Sequence, residues 1–300
     1  MISNNSLLDL KGRSELLRAC LYLHLLVLNL FKWVIFDISL NLTLLAMVGI
    51  ESFDKVLETF RSTKDQLGEI LSAFEVFDRT SLDLVLKHSA GTRNPCEVDT
   101  PFYGLIETAG SNKEHDDDKI SVFLESLMDA SIVVDGVLAQ DESQLAAFWR
   151  IRESISDSCA AEGGNYKYDI SVPVESFYPL VEDVKAFLES KGLYDPSNSD
   201  QKTVRRVVGF GHMGDGNVHL NVMTNARSRE FEDTLSDFVF KKTQERQGSI
   251  SAEHGVGLQK AQHLGYSKSA DAIQMMRLIK SQFDPKGILN PYKFLPHKDF

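Results

Sequence analysis

From residue 42 onward, short apolar runs alternate with longer amphipathic stretches along the chain. The runs at 42–49, 70–76, 102–108, 132–138, 166–172, 203–210 and 217–223 have the length and composition of strands. Helical periodicity covers 52–61, 80–88, a stretch ending at 128, and then 142–161, 173–191, 228–246, 258–264 and 270–283. Ser52 stands where an N-cap belongs, and Pro173 takes a first-turn position, where its missing N–H is not needed. Glu114, Asp116, Asp117 and Asp118 lack the alternating spacing of a calcium loop and read as a solvated helix start, favoured by the helix dipole. Residues 89–100 and 191–201 are polar loops, and the proline-punctuated tail at 284–296 is expected to be extended. Such alternation commonly means a parallel doubly wound sheet. The pair at 203–223 reads instead as an antiparallel hairpin. The expected class is therefore α+β, an antiparallel sheet flanked by helices with a helical C-terminal segment and no internal repeat.

The hairpin carries the chemistry. Gly209, Gly211 and Gly214 match GxGxxG, but a dinucleotide fingerprint needs a helix next, and the sequence continues as another strand. Asp215-Gly216 is a strong two-residue turn signal. About that turn His212 is expected opposite His219, with Asn221 on the same face by the period of two. Two cross-strand imidazoles form a clamp for a divalent metal, and a carboxylate is the usual third ligand. Glu253 is the best placed candidate, next to Gly255 and Gly257, with His254 beside it as a possible general base. Spacing alone leaves a second reading open, in which these histidines are hydrogen-bonded sheet residues and Glu253-His254 is a polar pair at a helix start.

The first forty-one residues differ from the rest. The stretch at 16–50 is strongly apolar, but Arg18, His24, Asn29, Lys32 and Asp37 interrupt it. A membrane span needs about 20 mostly apolar residues, so an anchor is disfavoured. No compact signal core is present, and Asp9 and Glu15 argue against a mitochondrial presequence. The expected organisation is an atypical segment at 1–41, a cap domain at 42–255 and a helical segment with a tail at 256–300.

Charge then narrows the function. The 300 residues hold 32 Lys and Arg against 43 Asp and Glu, a net charge of -11. That balance offers no electrostatic footprint for nucleic acid, and an anionic substrate would need a local positive site. Cys20, Cys96 and Cys159 are too few and too far apart for a disulfide scaffold or a cysteine-rich zinc site, so a reducing compartment is expected.

Three stretches, GFGHMGDGNVHLNV, SAEHGVGLQK and FDPKGILNPYKFLP, occur here in that order. With LGEILSAFEVFD, PFYGLIETAGSN, FWRIRESI and YKYDISVPVE, they resemble the C-terminal half of the FAD-linked oxidase family related to vanillyl-alcohol oxidase. The resemblance spans about residues 44–296 and implies a ferredoxin-like cap. It implies FAD-dependent oxidation of a D-2-hydroxy acid, with D-2-hydroxyglutarate the expected substrate and D-lactate or glycolate the alternative. It further implies that His212, His219 and Glu253 hold a divalent metal, with zinc expected, and that His254 takes the hydroxyl proton. Arg152 and Lys167 match cations that hold the substrate carboxylates, helped by Ser156, which replaces a common threonine, and by Asn221. Alone, Arg152 would read as a surface ion pair and Lys167 as a solvated strand residue. Asn290 matches a segment that returns to the flavin domain. An electron-transfer flavoprotein as acceptor, mitochondrial location and a homodimer are also implied. Family members carry a large FAD-binding domain upstream, which this sequence lacks. The chain alone is therefore expected to bind FAD weakly, and a non-catalytic binding fragment is the rival from another class.

Overall fold

The structure is a computed structural model that describes residues 43–297. The expectations for residues 1–41, and Cys20 with them, lie outside the described residues. Seven strands form one sheet: β1 (Thr43–Ile50), β2 (Leu71–Asp78), β3 (Phe102–Ala109), β4 (Asp135–Leu138), β5 (Gly164–Ser171), β6 (Val204–His212) and β7 (Asn217–Thr224). Their order is β4-β1-β3-β2-β6-β7-β5, and every neighbouring pair is antiparallel. The α+β expectation is correct.

Eight α-helices cover the sheet among the described residues: α1 (Phe53–Leu67), α2 (Arg79–His88), α3 (Lys113–Asp129), α4 (Glu142–Glu153), α5 (Ile155–Ala161), α6 (Phe177–Ser190), α7 (Arg229–Glu245) and α8 (Ala270–Phe283). Side chains of α1, α3, α6 and α7 pack one face into a large core with Val48, Ile106, Leu220 and Val222. Helices α2, α4 and α5 pack the other face against Met47, Phe77, Tyr103 and Phe210. Strand β1 alternates between the two cores, with Leu44, Ala46 and Val48 in one and Leu45 and Met47 in the other. Because both faces are covered, its sequence is a continuous apolar run rather than an alternating one. Caps agree with the sequence: the Ser52 side chain accepts from Lys55 N, and that of Asn112 from His115 N.

The strand order shows a repeat that sequence reading does not find. β1-α1-β2-β3-α3-β4 pairs as 4-1-3-2, a ferredoxin-like unit. β5-α6-β6-β7-α7 repeats the same path, and the two units join edge to edge through β2 and β6. The second unit has no fourth strand among the described residues. In its place Ser249 makes a single antiparallel bridge to Ser171.

Four boundaries differ from expectation. The stretch at 142–161 is two helices, broken at Ser154, which caps α4 and starts α5 with no proline or glycine to announce it. The run at 132–138 becomes strand only from Asp135, because Ile132 and Val133 donate to Leu127 O in the turn that ends α3. The stretch at 258–264 is a 3-10 segment, Ala261–Tyr266. The tail is folded into turns, not extended. Asn290, Tyr292 and Phe294 have positive φ, and the Asp284 carboxylate accepts from Ile288 N and Leu289 N, each at 3.0 Å. Nothing on α8 is buried, and Met275, Leu278, Ile279, Phe283, Ile288 and Leu289 are exposed.

Cys96 and Cys159 are buried free thiols, and burial pushes both up to about 12, so neither is a ready nucleophile. No described helix is long and apolar enough to cross a membrane.

Glu162 ties α5 to α2 and β6. Its buried carboxylate accepts from Lys87 Nζ at 2.5 Å and meets His88 Nε2 at 2.6 Å, with the Arg205 guanidinium 3.6 Å away. Burial opposes its charge, but these partners outweigh burial and hold its pKa at about 2. A depressed carboxylate stabilises the fold fully above its unfolded value of about 4.5 and loses that contribution as pH falls towards 2. Glu162→Gln is expected to cost about 2–3 kcal/mol at pH 7. Urea midpoints for the variant and the parent should converge as pH falls from 4.5 to 2. A gap that persists at pH 2 would show another origin.

Candidate metal and substrate site

The hairpin bearing the two histidines has a longer turn than the Asp215-Gly216 signal implies. Residues 213–216 form the loop, so His212 stands opposite Asn217, and Phe210 opposite His219. The cause is Met213. Its N–H donates to Phe74 O on β2 at 2.9 Å and its side chain is buried, which withdraws it from the hairpin ladder. Gly216 has φ +66, and a Cβ there would lie 2.0 Å from Val172 O, so the loop needs glycine at that point. The expected register is therefore wrong by two residues. A shift of two keeps each side chain on its face, so the histidines still meet, now along a diagonal. Their Nε2 atoms are 3.4 Å apart.

Glu253 and His254 arrive on the irregular segment that follows Ser249. Glu253 lies 3.4 Å from His219 Nε2 through Oε1 and 3.9 Å from His212 Nε2 through Oε2. His254 Nε2 is 3.4 Å from Glu253 Oε1, and its ring is 65% exposed. Donor atoms around a four-coordinate zinc, with bonds of about 2.0–2.1 Å, stand roughly 3.4 Å apart. The three groups named from the sequence therefore have the spacing and the donor types of such a centre. His219 suits the task because burial, then the charges of Arg152 and His212, push its pKa down to about 4 and leave the imidazole neutral.

Asp169 is a residue that sequence reading misses. It faces His219 across β5 and β7, and its carboxylate accepts from Ala252 N at 3.2 Å, Glu253 N at 3.2 Å and His254 N at 3.0 Å. Lys260 Nζ donates to its carbonyl at 2.9 Å. Burial works against the charge of Asp169, but these donors outweigh it and hold its pKa below the usual carboxylate range. Asp169, His219, Glu253 and His254 can each offer one donor atom within a 4.8 Å cluster. Because Asp169 is engaged by three amides, it serves as the staple of the loop rather than as a further ligand. Asp169→Asn is expected to raise amide hydrogen exchange at 252–254 at least tenfold, by the loss of roughly 1.5–3 kcal/mol of charge-assisted bonding. Unchanged exchange would sink the staple assignment.

Of the substrate residues named from the sequence, Arg152 is tied to His212 through Glu75. Arg152, in the last turn of α4, is 8% exposed and its guanidinium carbon lies over the Phe210 ring, 4.8 Å from its centroid. Its Nε donates to Glu75 Oε2 at 2.8 Å, and Glu75 Oε1 meets His212 Nδ1 at 2.5 Å. Sequence reading passed over Glu75 as well. Its signal was a lone carboxylate at a core-facing position of LSAFEVFD. The Glu75 bond comes first in raising the pKa of His212, against burial. Lys167 and Asn221 are direct cross-strand partners, one exposed and one buried, and Asn221 Oδ1 accepts from Asn165 Nδ2 at 3.1 Å. Ser156 is half-buried on α5, four residues after Arg152. Asn290 is exposed in the tail and shares no hydrogen bond or ion pair with the cluster among the described residues. The rejected glycine motif is confirmed as a strand, turn and strand.

This fold belongs to a known class. Residues 42–294 match the family of FAD linked oxidases, C-terminal domain, and the chain belongs to that family. A mitochondrial protein of Schizosaccharomyces pombe that carries the name D-lactate dehydrogenase is 48% identical over 84% of this chain and 48% of its own length. The mitochondrial D-2-hydroxyglutarate dehydrogenases of Danio rerio and Bos taurus are 44% and 45% identical, each over 84% of this chain and 44% of their own length. The chain thus spans about half the length of the curated relatives it matches. Among solved structures, p-cresol methylhydroxylase with substrate bound superposes with a TM-score of 0.58 at 11% identity, covering 86% of this chain and 54% of that one. That likeness concerns the fold.

Proposed function

We propose that the chain is the substrate- and metal-binding half of an FAD-dependent D-2-hydroxy acid dehydrogenase that converts D-2-hydroxyglutarate to 2-oxoglutarate. The observation that carries this reading is the convergence of His212, His219 and Glu253 at 3.4–3.9 Å beside the buried Arg152. It answers the charge problem of a chain at -11, since a divalent cation and two basic side chains would make a local positive site. His212, His219 and Glu253 would hold the metal, which when bound lowers the pKa of the substrate hydroxyl as a Lewis acid. Arg152 presents its terminal nitrogens to a carboxylate, because Glu75 takes its Nε. Lys167 supplies a second cation for the distal carboxylate, and Asn221 and Ser156 offer polar contacts. His254 accepts the hydroxyl proton as general base. A bound flavin would supply the acceptor for the C2 hydride.

The cap at 42–255 would close over a flavin domain, with the 256–300 segment, Asn290 included, resting on it. The exposed apolar side chains of α8 and the tail support that contact. The mitochondrial names of the relatives support a mitochondrial location, and an electron-transfer flavoprotein would take the electrons onward. The name of the fission yeast relative favours a second reading, D-lactate oxidation. The test is turnover of both acids by the chain completed with a flavin domain. D-2-hydroxyglutarate should be preferred, and Lys167→Ala should narrow the preference by about 10–100-fold, the worth of one charge-assisted bond. A preference for D-lactate, unmoved by Lys167→Ala, would favour the second reading.

A further inference from the structure

We infer that Glu75 is a positioning residue that couples the metal-binding imidazole of His212 to the substrate-binding guanidinium of Arg152. The inference rests on the reading of the site given under the proposed function. Glu75 is 3% exposed and lies directly opposite His212 in the β2–β6 pairing. Each of its oxygens serves one partner, Oε1 at His212 Nδ1 and Oε2 at Arg152 Nε. A carboxylate only accepts, so His212 must present Nδ1 as the N–H. That fixes the tautomer whose Nε2 lone pair points towards His219 and Glu253. The same carboxylate occupies Arg152 Nε and holds the guanidinium over Phe210, leaving the terminal nitrogens for a ligand. Phe210 is in turn the cross-strand partner of His219. One buried anion thus sets the orientation of a metal ligand and of a substrate anchor together.

No other residue type meets both demands. Glutamine has one acceptor and one donor end, so it cannot accept from both His212 and Arg152, and His212 is no longer held in one tautomer. Aspartate is one methylene shorter and cannot reach both from β2. Glu75→Gln is therefore expected to lower zinc affinity of the 300-residue chain by about 10–100-fold, as outer partners of ligating histidines commonly do. Removing the competing donor should reverse the loss. In Glu75→Gln with Arg152→Met, the amide oxygen is free to face His212, and zinc affinity should return to that of Arg152→Met alone, a non-additivity that a merely structural role would not produce.

The experiment is zinc titration by dye competition on these variants, joined to ¹⁵N spectra of the metal-free chain at alkaline pH. The parent should show His212 protonated at Nδ1, and Glu75→Gln should show mixed tautomers. Zinc affinity of Glu75→Gln within twofold of the parent, or an Nε2-protonated His212 in the parent, would overturn the coupling. If the parent takes up no zinc, the metal reading fails, and the tautomer alone decides the role of Glu75. If Glu75→Gln does not fold, the comparison of the double variant with Arg152→Met still decides: weaker zinc binding in the double variant overturns the rescue.

Discussion

A chain carrying His219→Ala should retain its fold and lose the zinc binding proposed for the parent. Of the three proposed ligands, His219 has the central place. Its Nε2 is 3.4 Å from both His212 Nε2 and Glu253 Oε1, and its side chain is only 12% exposed. With its pKa pushed down to about 4, it offers a lone pair at neutral pH without first giving up a proton. Once it is gone, His212 and Glu253 remain as two ligands 3.9 Å apart at a solvent-facing edge. Zinc held by a full set of ligands gains about 10–16 kcal/mol, so one ligand of three or four is worth some 3 kcal/mol or more, at least about a hundredfold in affinity. Metal content after dialysis and competition titration measure this directly. Parental zinc uptake in the variant would place the centre elsewhere.

Arg152→Met should damage both folding and binding. In the fold, the guanidinium neutralises a carboxylate that is itself buried. Removing it leaves Glu75 with the Nδ1–H of His212 as its remaining side-chain partner, and breaking such a pair from one side costs about 3–5 kcal/mol. On the proposed reading, the substrate carboxylate would lose its planar two-pronged partner, so kcat/KM of the chain completed with a flavin domain should fall by about a hundredfold or more, chiefly through KM. Arg152→Lys should recover little, because one ammonium cannot serve Glu75 and the substrate together. A urea midpoint that does not move would mean that the Glu75–Arg152 pair contributes nothing to the fold. A normal KM in a chain completed with the flavin domain would remove Arg152 from the substrate site.

The order of strands and helices was readable because each covered strand is a bounded apolar run and most helices carry a cap or a clear period. The break at Ser154 was not readable, since nothing local forbids a continuous helix there. The turns of the tail were missed because they depend on Asp284 capping two amides and on three non-glycine residues with positive φ. At the site, His212, His219, Glu253 and His254 could be proposed because hairpins bring alternate residues together and the motifs resemble a family. The register was misjudged by two, as the pull of β2 on Met213 is a tertiary effect. Glu75 and Asp169 were passed over because their partners are far away in sequence. Both occupy core-facing positions where an unpaired acid would be costly, and that is the signal they left.

The single bridge from Ser249 to Ser171 has a wider meaning. In the first unit, the chain after the second crossover helix lies down as β4 and finishes the sheet against β1. In the second unit it reaches the same address, touches once and leaves. Had the pairing gone on, the amides of Ala252, Glu253 and His254 would lie in a ladder along β5. Instead they turn to the Asp169 side chain, two residues along β5 from where the ladder stopped. Sheet completion and site assembly are therefore exclusive uses of one short length of chain. The described residues form a near-symmetric scaffold, and the proposed site sits at the point where the symmetry fails. Any change that extended the zipper past Ser249 would tidy the architecture and dismantle the site.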